Sequence, residues 1–258
     1  MEYVSYGGGA PSLALIILNI QGKIKPITKR DTIDEIIFVD TGWEDSDTIK
    51  NLAPVKEYVE KHGVKFTILE PIYGSLETYL ENSIPAKKDI PIPYFMRNKE
   101  NKPAMARRQC TGHWKIRTIN QYIKQNYSPC GRVVQLGIHA KEWQRMRDAK
   151  YKRDINRYPL VDLDLSRSDC QTIVSEAGLP SLPKSGCVGC PYLPPSRLID
   201  IKTRNPKDFE RALKIDKLLQ KQGKGLHHNL RPLDKVISQQ QFDLGELDYS
   251  CESGYCFV

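Results

Sequence analysis

Ser5-Tyr-Gly7-Gly8-Gly9-Ala-Pro-Ser12 and Cys187-Val-Gly-Cys190-Pro are the segments whose residue types and spacing can do chemistry unaided. In the first, consecutive glycines let backbone N–H groups turn inward around an anion. A helix starting near Pro11 would add the partial positive charge of its N-terminus. The Ser12 hydroxyl can donate to the same anion. No Gly-Lys-Ser/Thr follows, so this phosphate loop is not of the Walker form. In the second segment, a Cys-x-x-Cys turn lets two thiolates approach one metal, and a following proline recurs at iron–sulfur ligand runs. One such pair is an incomplete site.

A third candidate is the charged run from Lys141 to Arg153. Arg145 and Arg147 can bridge phosphate oxygens through a planar fork of donors. Glu142 can orient an arginine or hold a magnesium ion. As a bare run of charge, this stretch reads equally as a solvated face. Cys130 and Cys170 read as ordinary buried or half-buried thiols. The tail Cys251-Glu-Ser-Gly-Tyr-Cys256-Phe-Val could bring a thiol to a site where arginine or lysine lowers its pKa.

These groups need a frame, and the hydrophobic pattern supplies one. Met1 to Ser5 is a strand because the glycine loop and an apolar helix, Pro11 to Gln21, follow it. Glu35 to Asp40 reads as a strand buried on both faces, Ser46 to His62 as a helix, and Val64 to Leu69 as the next strand. Such alternation implies right-handed βαβ units and a doubly wound parallel sheet. Pro71 to Arg108 has many prolines and reads as a long ordered insertion or lid. A helix from Gly112 to Gln125, a strand from Arg132 to Ile138, a short extended piece from Pro159 to Leu163 and a helix capped by Ser166 follow. Helices rich in lysine and arginine occupy Ser196 to Lys221. The organisation expected is a nucleotide-binding domain over 1–165 and a mostly helical region over 166–258.

The chain has 258 residues, 39 Lys plus Arg against 31 Asp plus Glu, and a formal charge of +8. That balance favours polyanionic partners such as nucleotides, tRNA or DNA. The basic stretch Arg197 to Arg231 could track a phosphate backbone, or be the solvated faces of amphipathic helices. No stretch reaches the roughly 18 apolar residues of a membrane span, and no signal peptide is evident. A cytoplasmic protein is expected, whose seven cysteines serve as metal ligands, redox groups or core thiols.

Taken in order, these segments resemble the PP-loop ATP pyrophosphatases, in particular the phosphoadenosine-phosphosulfate (PAPS) reductase-like branch. That branch typically shows Ser-Gly-Gly-x-Asp-Ser at the loop. Here Gly7 replaces the first Ser, Gly8, Gly9 and Ser12 match, and Pro11 replaces the Asp. Phe38-Val-Asp40-Thr41-Gly42-Trp43 is similar to the family's second strand and its turn near the nucleotide. Gly137-Ile-His-Ala-Lys-Glu142-Trp-Gln-Arg145 is similar to the segment that closes over the phosphates. Tyr158-Pro-Leu-Val-Asp-Leu163 resembles its Pro-Leu-x-Asp element. Cys110-Thr-Gly-His-Trp-Lys115-Ile-Arg117 resembles a segment whose cysteine joins a later Cys-x-x-Cys on a [4Fe–4S] centre.

The resemblance implies the adenine-nucleotide α-hydrolase fold, with Ser5, Gly7 to Gly9, Ser12, Asp40, Thr41, Gly42, Lys115, Arg117 and Gly137 around the nucleotide. It implies Glu142 and Arg145 in catalysis, and Cys110, Cys187 and Cys190 on a cluster. A zinc completed by His113, or a disulfide, remains open for the cysteines. The leading activity is ATP-dependent sulfur transfer, with pyrophosphate release, magnesium and a sulfur-donor protein, onto a nucleic acid. The alternatives are a PAPS reductase attacking through Cys256, whose place matches the family's tail nucleophile only by position, and a non-catalytic nucleotide-binding subunit of a DNA-modification or defence complex.

Overall fold

The computed structural model describes residues 1–28, 30–127, 131–180, 182 and 185–240. Cys130, Cys251 and Cys256 lie outside them.

Strands β1 (Glu2–Ser5), β2 (Glu35–Val39) and β3 (Lys65–Leu69) join β6 (Val133–Leu136) and β7 (Ile155–Arg157) in one five-stranded sheet, order β3-β2-β1-β6-β7. Every pairing in it is parallel. Period-2 alternation sends Val4, Ile36 and Phe38 to one face and Tyr3, Ile37 and Val39 to the other. The first face is covered by α1 (Ala10–Ile20), α3 (Leu52–Lys61) and α7 (Arg167–Glu176). The second is covered by α5 (Arg117–Asn126) through Ile119 and Ile123. Helix α1 is buried from Leu13 to Leu18, which is why its sequence is apolar all round.

Local chemistry moves some boundaries. The span Ser46 to His62 forms two helices, α2 (Ser46–Lys50) and α3, broken at Asn51. Pro54 has no N–H to donate to Lys50, so the chain restarts with the proline in a first turn. Pro159 to Leu163, extended by its sequence pattern, is instead the short helix α6 (Pro159–Asp162), with the proline at its start. The extended piece is β7, just before it. Ser166 caps α7 as expected, in a reciprocal capping box with Asp169.

The proline-rich stretch 71–108 contains α4 (Leu76–Ser83) and an antiparallel pair, β4 (Phe95–Arg97) and β5 (Pro103–Met105). Its apolar residues Leu76, Leu80, Ile84 and Ile92 enter a second core. Trp114, Val188 and the helices α8 (Pro195–Arg204), α9 (Pro206–Gln220) and α10 (Leu233–Gln240) build the rest of that core. Trp114 lies in a π-helical turn, Thr111–Ile116, that leads into α5.

Candidate functional site

The strand order reverses at β1: the chain goes to β2 on one side and later to β6 on the other. In parallel sheets, ligands bind at the carboxyl ends of the strands flanking such a reversal. The glycine loop after β1, the Asp40–Asp45 loop after β2 and the Gly137–Arg145 segment after β6 all lie at that end.

In the glycine loop, Gly8 has φ +76°, and a Cβ there would stand 2.5 Å from Thr48 Cγ2. A Cβ on Gly9 would stand 2.9 Å from Ser185 Oγ. Both glycines are buried beneath these neighbours. The Ser12 hydroxyl donates to the Gly9 carbonyl at 3.0 Å and accepts from the Gly7 N–H at 3.3 Å, so it braces the loop itself. Among the described residues, the N–H groups of Gly8 and Gly9 donate to no protein acceptor. Two buried donors without partners cost roughly 1–3 kcal/mol each. At the N-terminus of an 11-residue helix, they are electrostatically suited to an anion.

After β2, Asp40 Oδ1 accepts from the Gly42 N–H at 2.8 Å, and Gly42 takes φ +74° against Ser75. Thr41 is buried and donates to Glu44 at 3.0 Å. Glu44 pairs with Lys115 at 2.9 Å. Burial works against the Lys115 charge, but Glu44 and, where ionised, Cys187 and Cys110 outweigh it and raise its pKa. From α9, Arg211 donates to the carbonyls of Gly42 (2.9 Å) and Glu44 (3.2 Å). Arg117 faces outward and donates to the Tyr73 hydroxyl at 2.7 Å.

After β6, a Cβ on Gly137 would fall 2.6 Å from Ser12 Cα and 2.7 Å from Ser12 N. Only glycine lets β6 end this close to the start of α1. The turn Ala140–Arg145 then brings Glu142 Oε2 to 2.7 Å from Arg145 Nη1 and 3.6 Å from His139 Nε2. Glu142 therefore orients an arginine. His139 is buried with its Nδ1 unpartnered. Burial lowers its pKa; Glu142 opposes that, while Arg167, Arg145 and Lys141 add to it. A neutral imidazole results at neutral pH.

The cysteine turn joins the same rim. Cys187 forms a β-bridge with Glu44, Val188 N donates to the Trp43 carbonyl at 3.1 Å, and Asp45 N to that of Gly186 at 3.4 Å. Gly189 packs against the Trp43 ring, where a Cβ would meet Cζ2 at 2.8 Å. Cys110, Cys187 and Cys190 carry free thiols close enough to shift one another's pKa. Burial raises all three, Cys190 to about 11, against the pull of nearby Lys115 and Arg108. Among the described residues, no group of three or more His, Cys, Asp or Glu is arranged to hold a metal ion. Donor type and local cations suit a soft metal, and because burial holds the three thiols protonated at neutral pH, binding would have to displace their protons.

The raised thiol pKa values have a direct readout. Only the thiolate reacts, so alkylation of metal-free protein at Cys190 should be slow at pH 7–8 and rise about tenfold per pH unit toward pH 10. Iodoacetamide labelling followed by mass spectrometry measures this; rapid labelling at pH 7 would show a depressed pKa instead.

Of the residues singled out from sequence, Gly7 to Gly9, Ser12, Asp40 to Gly42, Lys115, Gly137, Cys110, Cys187 and Cys190 gather on this edge. Ser5 ends β1 beneath it. Glu142 and Arg145 pair on the turn after β6, and Arg117 lies outward. Glu44, His139, Ser185 and Arg211 join the site although none was singled out from sequence. For Glu44 and His139 a signal existed in their places beside the Thr-Gly turn and at the i,i+3 position to Glu142; Ser185 and Arg211 reach the site from far along the chain. No family model matches the chain, and no curated protein matches it.

Proposed function

We propose that the chain is a doubly wound nucleotide-binding enzyme of the adenine-nucleotide α-hydrolase type that uses ATP to activate an acceptor for sulfur transfer, the acceptor being a nucleic-acid base. One observation carries this reading. The N–H groups of Gly8 and Gly9, which donate to no described acceptor, lie at the sheet's reversal point, and Ser185, which packs against both glycines, stands two residues before Cys187 and the cysteine turn. Phosphate-binding and sulfur-bearing groups thus share one rim.

In this reading Gly8 and Gly9 hold the phosphates of ATP. An acceptor carbonyl oxygen attacks the α-phosphorus, and the bond to pyrophosphate breaks. Arg145, held by Glu142, stabilises the charge that builds on the phosphates. A sulfur nucleophile then attacks the activated carbon, and the carbon–oxygen bond to AMP breaks. Cys110, Cys187 and Cys190 would hold a [4Fe–4S] cluster, which when bound would supply a site for that sulfur. Lys115, fixed by Glu44, would offset the negative charge of the thiolates.

The test is pyrophosphate release from ATP by anaerobically purified protein, with and without single-stranded RNA or DNA, alongside iron analysis. Release stimulated by nucleic acid, with about four irons per chain, is expected. Sulfite release from PAPS in the presence of thioredoxin, with no ATP turnover, would replace this reading with the reductase one.

A further inference from the structure

We propose that the groove along the β7 edge of the sheet binds single-stranded nucleic acid, with Trp143 and Tyr151 as stacking surfaces. This deepens the proposed function by locating the acceptor strand, and it rests on that reading only for the chemistry that follows docking.

Strand β7 is an outer strand. A groove of about 580 Å³ runs along it, lined by Arg147, Lys152, Tyr151 and Ile155 together with Asp148 and Asp154, the latter already paired with Arg132. Tyr151 is 50% exposed, and Trp143 is 60% exposed, the most of any large apolar side chain among the described residues. Trp143 sits one hydrogen-bonded turn before the groove, its carbonyl accepting from Met146 N at 2.9 Å. Single exposed apolar side chains are ordinary; here two large rings open to solvent stand close together in sequence beside one groove, with Lys150 Nζ 5.7 Å from the centroid of the Tyr151 ring.

The charges around these rings name the partner. Between residues 141 and 153 the exposed charged side chains are Lys141, Arg147, Lys150, Lys152 and Arg153 against Asp148 alone. Basic side chains interleaved with exposed aromatics form the pattern that tracks a sugar–phosphate backbone while bases stack. A duplex keeps its bases stacked on each other and cannot use the rings, so a single strand fits better. The position matters too. Trp143 stands on the same turn as Glu142 and Arg145, so a base stacked there is next to the candidate catalytic pair.

The basic stretch 197–231 is a poorer candidate, because three of its arginines are already paired internally. Arg197 pairs with Asp45 and Asp200, Arg204 with Asp47 and Asp200, and Arg211 with Glu77 and Asp208.

Fluorescence anisotropy with labelled oligothymidylate and oligouridylate, using the full chain without ATP, tests the proposal. Trp143→Ala and Tyr151→Ala should each weaken single-strand binding about 5- to 100-fold with little change in melting temperature, since both rings are largely exposed. Lys152→Glu should weaken binding and flatten its salt dependence. Lys221→Glu, the same charge change at the end of α9, should leave binding intact. The proposal is overturned if no binding occurs, if the aromatic variants bind like the parent, or if Lys221→Glu loses as much as Lys152→Glu. Equal binding of duplex, or a preference for anionic lipid vesicles abolished by the same aromatic variants, also overturns it. Failure here leaves ATP turnover at the glycine loop untouched, and absence of ATP turnover leaves the groove untouched.

Discussion

Replacing Arg197 with methionine is expected to destabilise the protein by about 3–5 kcal/mol, because it strands a buried carboxylate. Arg197 and Asp45 are both buried and pair across the junction of α8 and the loop after β2. Asp45 also caps α2, accepting from Asp47 N at 2.8 Å. Burial nonetheless raises the Asp45 pKa above its ordinary value, against the pull of Asp47 N–H and Arg197. The pair is therefore no net gain in stability; its cost becomes visible when one partner is removed. Arg197→Met/Asp45→Asn should recover most of the loss, since asparagine keeps the cap and no charge is stranded.

The pH dependence has a definite sign. A carboxyl whose folded pKa is raised makes the folded state bind its proton more readily than the unfolded state does. Its ionised form then costs stability at neutral pH, and that cost is relieved as pH falls through the raised value. Removing Arg197 raises the value further, so the deficit of Arg197→Met should be largest near pH 7 and shrink toward pH 5. Urea denaturation at several pH values measures it. A deficit independent of pH, or a double variant no better than the single one, would mean Asp45 is not the source. Because α8 follows directly on the cysteine turn, the single variant should also loosen the contact between Ser185 and Gly9.

The frame of this site was legible in sequence because its signals are local. Three glycines before an apolar helix, and Ile36 to Val39 as a continuous apolar run ending in Asp40-Thr-Gly, declare their elements within a few residues. What could not be read was who covers whom. Thr48 and Ser185 close over Gly8 and Gly9 from 40 and more than 170 positions away. Lys115 reads as a ligand contact from its motif, yet its partner Glu44 is set by the π-helical turn meeting the β2 loop. In the stretch 71–108 the helical spacing of Leu76, Leu80 and Ile84 spans only the short α4 and is hard to see among the prolines; these residues, with Ile90 and Ile92, pack in a core shared with α8, α9 and α10. Pro159 misled because a proline marks a helix start as readily as an extended segment.

Gly137→Ala tests the nucleotide reading most directly, and its expected effect is a loss of about 3 kcal/mol together with at least about tenfold weaker ATP binding. The added methyl would meet Ser12 Cα at 2.6 Å, Ser12 N at 2.7 Å and Ser12 Cβ at 2.8 Å. Two of those atoms are backbone at the first turn of a buried helix, so no side-chain rotation relieves the contact. The only relief is to move α1 away from β6, which carries the Gly8 and Gly9 donors with it. Gly178 is the informative comparison. It has φ +70°, and a methyl added there would meet nothing within 4 Å. Gly178→Ala therefore incurs only the left-handed backbone cost of about 1–2 kcal/mol and should bind ATP like the parent. Thermal melting and equilibrium ATP binding on the two variants separate a general loss of stability from a displaced phosphate loop. If Gly137→Ala melts and binds ATP as the parent does, the close approach of β6 to α1 is not what positions the loop. If it is destabilised but binds ATP unchanged, the nucleotide lies elsewhere on the protein.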